Sequence, residues 1–231
     1  LCTKKLLSLL EHIIVKMKKV GYEKMLNQHD DKLEIELTSK CVLQCPACSR
    51  MHDADGKPKW DAGHLDKEIL FNIADTTNFK RYTFCGCYGD AIYHPDFLEI
   101  CDYFIKKGHW IQVHTNGSAK PEKFWQKAAQ QDWTHCLFTF SIDGLEDTNH
   151  IYRVNAKWKQ VMTGVKYMTS IPKERRPKLE WKMLIFKYNE HQIETARQMA
   201  MDLGFDRFNP VQSMRNTNSY GVGPNEENPY V

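Results

Sequence analysis

From residue 33 to residue 211 the chain repeats one rhythm, a short strand-like run followed by a longer amphipathic one. Strand-like runs fall at 33–38, 81–85, 110–115, 135–142, 179–186 and 206–211. Between them the apolar residues space as helices do. One such stretch begins near Asp66, a capping residue, and carries Leu70 and Ile73. Another covers 96–107 and stops at Gly108. A third opens with Pro121 in its first turn, and the last two cover 157–170 and 190–203, the latter closed by Gly204. Strands that alternate with helices build right-handed βαβ units, and these demand a parallel sheet. Ahead of the rhythm, Leu6, Leu7, Leu10, Ile13, Ile14 and Met17 mark an amphipathic helix over 4–20, read as packed on the main body. The expected organisation is an N-terminal amphipathic helix in 1–30, one α/β domain in 31–212, and a polar coil in 213–231.

The first strand-like run delivers Cys41-Val-Leu-Gln-Cys45-Pro-Ala-Cys48. Three thiolates on one loop can converge on a common centre, and soft sulfur selects iron–sulfur clusters or zinc. A cubane held by three cysteines keeps one iron without a protein ligand, open to a small molecule. The alternative at this point is structural zinc, since His52 follows Cys48 with three residues between and completes a Cys3His set.

The strand ends decide between them. In parallel α/β barrels, functional residues sit at the C-terminal ends of the strands, and here the unusual residues fall there. After the second strand comes Cys85-Gly-Cys87-Tyr88-Gly89-Asp90-Ala91, running on to His94-Pro95-Asp96-Phe97. After the third comes His114-Thr115-Asn116-Gly117, and after the fourth Ser141-Ile142-Asp143-Gly144, followed by His150 and Arg153. Lys187-Tyr-Asn189 follows the fifth. With the cysteine spacing, this order resembles the radical S-adenosylmethionine (SAM) superfamily, and in particular the core of its peptide-modifying members.

That resemblance implies a partial open (β/α)6 TIM-type barrel. It implies a [4Fe-4S] cluster on Cys41, Cys45 and Cys48, with SAM chelating the fourth iron through its amino and carboxylate groups. It assigns SAM contacts to Gly89, Asp90, Thr115, Asn116, Ser141, Asp143 and Arg153. A guanidinium such as Arg153 suits the SAM carboxylate because its planar fork binds that group bidentately. Four departures stand out. Tyr88, Asp90 and Ala91 replace the Gly, Glu and Pro of the family's Gly-Gly-Glu-Pro turn. Gly89 keeps its place, where backbone approaches a ligand closely. Ala47 stands where the family commonly has an aromatic residue that packs on adenine. The implied reaction is reductive cleavage of SAM by a flavodoxin- or ferredoxin-like electron donor, then hydrogen abstraction from a substrate. A peptide or protein is ranked first, a small metabolite such as a sugar or nucleotide second, and RNA below that; a glycyl-radical activating enzyme is a further alternative, and a catalytically altered SAM-binding relative is the alternative of another class.

Composition bounds the rest. A net charge of +3 is too mild to argue for a nucleic-acid partner. No apolar run approaches the ~20 residues of a membrane span, and the start resembles no signal peptide. A clustered cysteine triplet without secretory signals points to a reducing compartment, so a cytoplasmic location is expected. Cys85, Cys87, Cys101 and Cys136 are read as small core residues, with a second cluster or a thiol near the site as the alternative. No cysteine follows Cys136, which points to one cluster, with the Trp60-bearing loop at 51–63 as a lid.

Overall fold

The computed structural model describes residues 31–48 and 62–212. The expected N-terminal helix, the C-terminal coil, His52 and the Trp60 loop up to residue 61 lie outside the described residues. Six parallel strands form one sheet in sequence order: β1 Lys32–Ile35, β2 Arg81–Phe84, β3 Trp110–Thr115, β4 Cys136–Ser141, β5 Lys178–Ile185 and β6 Arg207–Gln212. The helices are α1 Lys67–Thr76, α2 Phe97–Lys106, α3 Glu122–Ala128, α4 Asn149–Tyr152, α5 Trp158–Thr169 and α6 Ile193–Asp202. The sheet runs from β1 to β6 without closing, as an open α/β barrel does.

Local chemistry sets the boundaries. The Asp66 carboxylate accepts the Glu68 N–H at 2.9 Å and caps α1. Gly108 and Gly204 end α2 and α6 in the left-handed region, with φ of 78° and 90°. The helical run expected over 190–203 divides into a 3-10 turn at Glu190–Gln192 and α6. The four-residue α4 was not expected, being too short to show a helical period. β1 also ends earlier than its alternating pattern suggested. Its continuation turns away, and Thr38 instead bridges His64 in antiparallel fashion.

Alternation along the strands separates two faces. Tyr82, Phe84, Ile111, Val113, Phe138, Phe140, Leu179, Trp181 and Met183 are buried in the main core, with α1, α2, α3, α5 and α6 packed over them. The other set includes Glu34, Thr83, His114, Ser141 and Lys182, and these line the concave face. Parallel sheets covered on both faces read as continuous apolar runs; this polar alternation marks a chamber instead. Below the chamber, Glu180 is buried and joins Thr139 at 3.3 Å, Asn209 at 3.4 Å and Arg207 at 3.1 Å. Pro210 lies in β6, opposite Met183, on the edge of the described sheet.

Candidate functional site

A cavity of about 430 Å³ opens at the C-terminal ends of the strands. Cys41, Cys45 and Cys48 line one side of it, and Gly89, Asp90, Thr115, Asn116, Ser141 and Arg153 line the others. Of the residues singled out for the site, only Asp143 stands behind this wall.

The cysteine loop is shaped by its own backbone and by its neighbours. The Cys48 N–H donates to the Cys45 carbonyl at 3.1 Å, and the Gln44 N–H donates to the Val154 carbonyl at 3.1 Å, tying the loop to the segment that carries Arg153. The Leu43 N–H and the Asn116 amide each lie 3.4 Å from the Cys41 sulfur. None of the three cysteines is in a disulfide. Among the described residues, no three His, Cys, Asp or Glu side chains are gathered to hold a single metal ion. A cubane asks for a different arrangement, with each thiolate on its own iron and the sulfurs spread around a shared centre. Three thiols on one cavity, two of them half-buried and one buried, fit that demand.

The altered turn after β2 proves to be a brace. The Asp90 carboxylate accepts from the Thr115 hydroxyl at 2.9 and 3.1 Å, the Asn116 N–H at 2.7 Å and the Ile92 N–H at 3.2 Å. Burial pushes its carboxyl up, and these donors pull it back. Both oxygens are thus spent on protein donors, and they lock the β2 exit to the β3 exit. Gly89 is required by the close approach of protein backbone. A Cβ there would overlap the Thr38 carbonyl and meet the Lys40 carbonyl oxygen at 3.0 Å. The turn lies directly on the cysteine loop, and the Asp90 N–H donates to Lys40 O at 2.9 Å.

Arg153 is positioned in a similar way. Its Nε stands 2.7 Å from an Asp143 oxygen, close but outside hydrogen-bond alignment; the side chains are 13% and 0% exposed. The other Asp143 oxygen accepts the Leu184 N–H at 2.8 Å. Burial pushes the Asp143 carboxyl up against the pull of Arg153. Burial alone would lower the guanidinium, but Asp143, and then Cys45, hold it above its ordinary value. Asp143 therefore holds the arginine at its Nε, and Arg153 borders the cavity. Asn189, fully buried, joins the same frame: its amide donates to the Asp143 and Leu184 carbonyls at 3.0 and 2.9 Å.

Several cavity residues escaped the motif reading. Tyr152 packs on Phe186 at 4.7 Å, and Phe186 stacks on Tyr188 at 5.4 Å. This aromatic cluster adjoins Ala47, where the expected ring is missing. His114, Lys182, Glu34, Cys85 and Cys87 also face the cavity. Burial, then Lys182, pushes the His114 imidazole down to about 4, so it is neutral near pH 7. Burial, then Glu36, pushes the Cys85 thiol up to about 12. The signal for the strand residues was their period of two, which puts Glu34, Cys85, His114 and Lys182 on the face opposite the core.

Comparison with known proteins gives the following. The family described as the radical SAM superfamily matches residues 35–199. The chain is 22% identical over 182 residues to the tungsten-containing aldehyde ferredoxin oxidoreductase cofactor-modifying protein of Pyrococcus furiosus, covering 75% of this chain and 49% of that one. It is 25% identical over 175 residues to the PqqA peptide cyclase of Bradyrhizobium diazoefficiens, covering 75% and 44%. The chain thus spans about half the length of these curated relatives. Streptococcus suis SuiB bound to its precursor peptide SuiA shares the fold, with a TM-score of 0.66 at 14% identity over 95% of this chain and 47% of that one.

Proposed function

The chain belongs to the radical SAM superfamily, and we propose that it cleaves SAM reductively and draws a hydrogen atom from a peptide or protein substrate. Its cofactors are the family's [4Fe-4S] cluster and SAM. The observation that carries the reading is the convergence of Cys41, Cys45, Cys48, Ser141 and the Asp143-aimed Arg153 on one cavity at the strand ends. When bound, the cluster would supply the single electron for SAM cleavage, and SAM would supply the radical chemistry that draws hydrogen from a substrate.

The chain's own residues do the positioning. Cys41, Cys45 and Cys48 would hold three irons. Arg153 would receive the SAM carboxylate through its terminal nitrogens, with Ser141 beside it on the same wall. Thr115, Asn116 and Asp90 act one step back, holding the turn and the Cys41 sulfur in place, and Gly89 lets that turn reach the cysteine loop. Tyr152, backed by Phe186, supplies aromatic surface at the mouth where Ala47 has none. An outside single-electron donor of the flavodoxin or ferredoxin kind is required, since the reaction consumes an electron.

The peptide preference is supported by the likeness to the PqqA peptide cyclase and to a fold seen with a precursor peptide bound. A second reading, action on a small cofactor, is favoured by the likeness to the cofactor-modifying protein. The test is anaerobic reconstitution followed by SAM and dithionite, with 5′-deoxyadenosine measured by chromatography. Formation by the wild type and loss in a Cys41/Cys45/Cys48 triple-alanine variant is expected. A wild type that holds the cluster and binds SAM yet forms no 5′-deoxyadenosine is a binder, and the catalytic reading fails.

A further inference from the structure

Five thiols line one cavity: Cys41, Cys45, Cys48, Cys85 and Cys87. Cys101 and Cys136 do not join them, being fully buried in the core. A [4Fe-4S] cubane ordinarily takes four cysteine thiolates, and the loop after β1 offers three. The remaining two cavity thiols both neighbour the Glu36 carboxylate. Cys85 continues the line of β2, half-buried, with its sulfur 3.7 Å from the Thr83 carbonyl of its own strand. Cys87 is exposed on the turn that faces the cysteine loop, and its carbonyl lies 4.0 Å from the Cys48 sulfur.

The Cys87 backbone is fixed from both sides. Its N–H donates to Glu36 at 2.8 Å. Two residues on, Gly89 packs against Thr38, and Asp90 bonds to Lys40, the residue that precedes Cys41. The turn and the loop therefore form one unit.

Resting on the cluster reading above, we propose that Cys87 is a fourth, exchangeable cluster ligand, whose thiolate caps the iron left open by the loop until SAM displaces it. No electron moves in this exchange. An iron–sulfur bond breaks as bonds from iron to the SAM amino nitrogen and carboxylate oxygen form. The thiol gives its proton to solvent on capping and regains one on release. Capping protects the iron that a three-cysteine cubane loses most readily on oxidation, and it leaves the cluster ready for SAM.

The experiment uses the full chain, reconstituted anaerobically with iron-57 and examined by Mössbauer spectroscopy before and after SAM. Wild type is compared with Cys87→Ala and with Cys85→Ala, the latter a control for loss of a cavity thiol. Without SAM, wild type and Cys85→Ala should show four irons of one kind, and Cys87→Ala one iron distinct from three. With SAM, all three proteins should show the distinct iron. Ferricyanide added without SAM should give a severalfold larger [3Fe-4S] electron paramagnetic resonance signal in Cys87→Ala than in wild type. A distinct iron in SAM-free wild type overturns the proposal even if the variant fails to hold a cluster. So does a wild-type spectrum that SAM leaves unchanged while that of Cys87→Ala responds. Wild type with no cluster at all removes the cluster reading itself.

Discussion

Arg153→Ala should have two effects that can be pulled apart. It removes the charge that compensates Asp143, whose side chain is fully buried. Breaking a buried ion pair from one side costs about 3–5 kcal/mol, because the surviving charge is left in a low-dielectric site. It also removes the group that receives the SAM carboxylate. A charge-assisted hydrogen bond contributes about 1.5–3 kcal/mol, or roughly ten- to a hundredfold in affinity. Asp143→Asn in the same chain distinguishes the two. Asparagine keeps the acceptor for the Leu184 N–H, held at 2.8 Å in the native protein, and leaves no buried charge. The double variant should therefore regain at least ~2 kcal/mol of the lost stability while SAM binding stays as weak as in Arg153→Ala. Stability is read by anaerobic urea unfolding of the cluster-loaded protein, and SAM affinity by equilibrium dialysis without reductant. If SAM affinity returns to the wild-type value in the double variant, Arg153 serves only to neutralise Asp143 and the assigned role is wrong.

Three further outcomes are expected. About four irons per chain should be found by iron and sulfide analysis of reconstituted wild type, falling to none in the Cys41/Cys45/Cys48 triple-alanine variant; a cluster signal that survives there would show a second cluster. Gly89→Ala should destabilise the protein by about 1–3 kcal/mol and lower cluster incorporation, because the added Cβ meets backbone on the cysteine loop; normal iron content at normal stability would contradict the packing account. His114 has a folded value of about 4 against an ordinary 6.5, so the unfolded chain takes up a proton that the folded chain refuses. Stability should fall by about 2–3 kcal/mol as pH drops from 6.5 to 4, and His114→Gln should flatten that part of the profile, which urea midpoints measured at each pH will show.

What the sequence made legible was what repeats or what is spelled by residue type. Trp110 to Thr115 alternates cleanly, and β3 has those bounds. Cys41, Cys45 and Cys48 announce a soft-ligand site by spacing alone. Roles that depend on who faces whom were harder to see. Asp90 matched a SAM-contacting position by its place in a motif, yet its oxygens are taken by Thr115, Asn116 and Ile92, a set separated by up to 26 positions. Asp143 shares a motif with Ser141, but the next residues turn it behind the wall, where it aims Arg153. Gly89 was singled out for close approach to a ligand, and the backbone that approaches it in the structure belongs to Thr38, which no local pattern can reveal. Cys85 and Cys87 looked like core cysteines because burial of a cysteine is common; Cys85 follows β2 in phase with Thr83, Cys87 lies on the turn beyond it, and both line the cavity.

The two margins of the sheet carry a consequence for how copies of this protein meet each other. A strand margin with open N–H and C=O groups invites another strand, and long flat margins are where proteins aggregate. β1 offers only four residues, two of them the charged pair Lys32 and Glu34, bonded at 3.0 Å. β6 carries Pro210, which has no N–H to give an incoming strand and is tolerated only at such a margin. Among the described residues, a sheet that stays open from β1 to β6 thus offers neither margin as a long, flat template for a further strand.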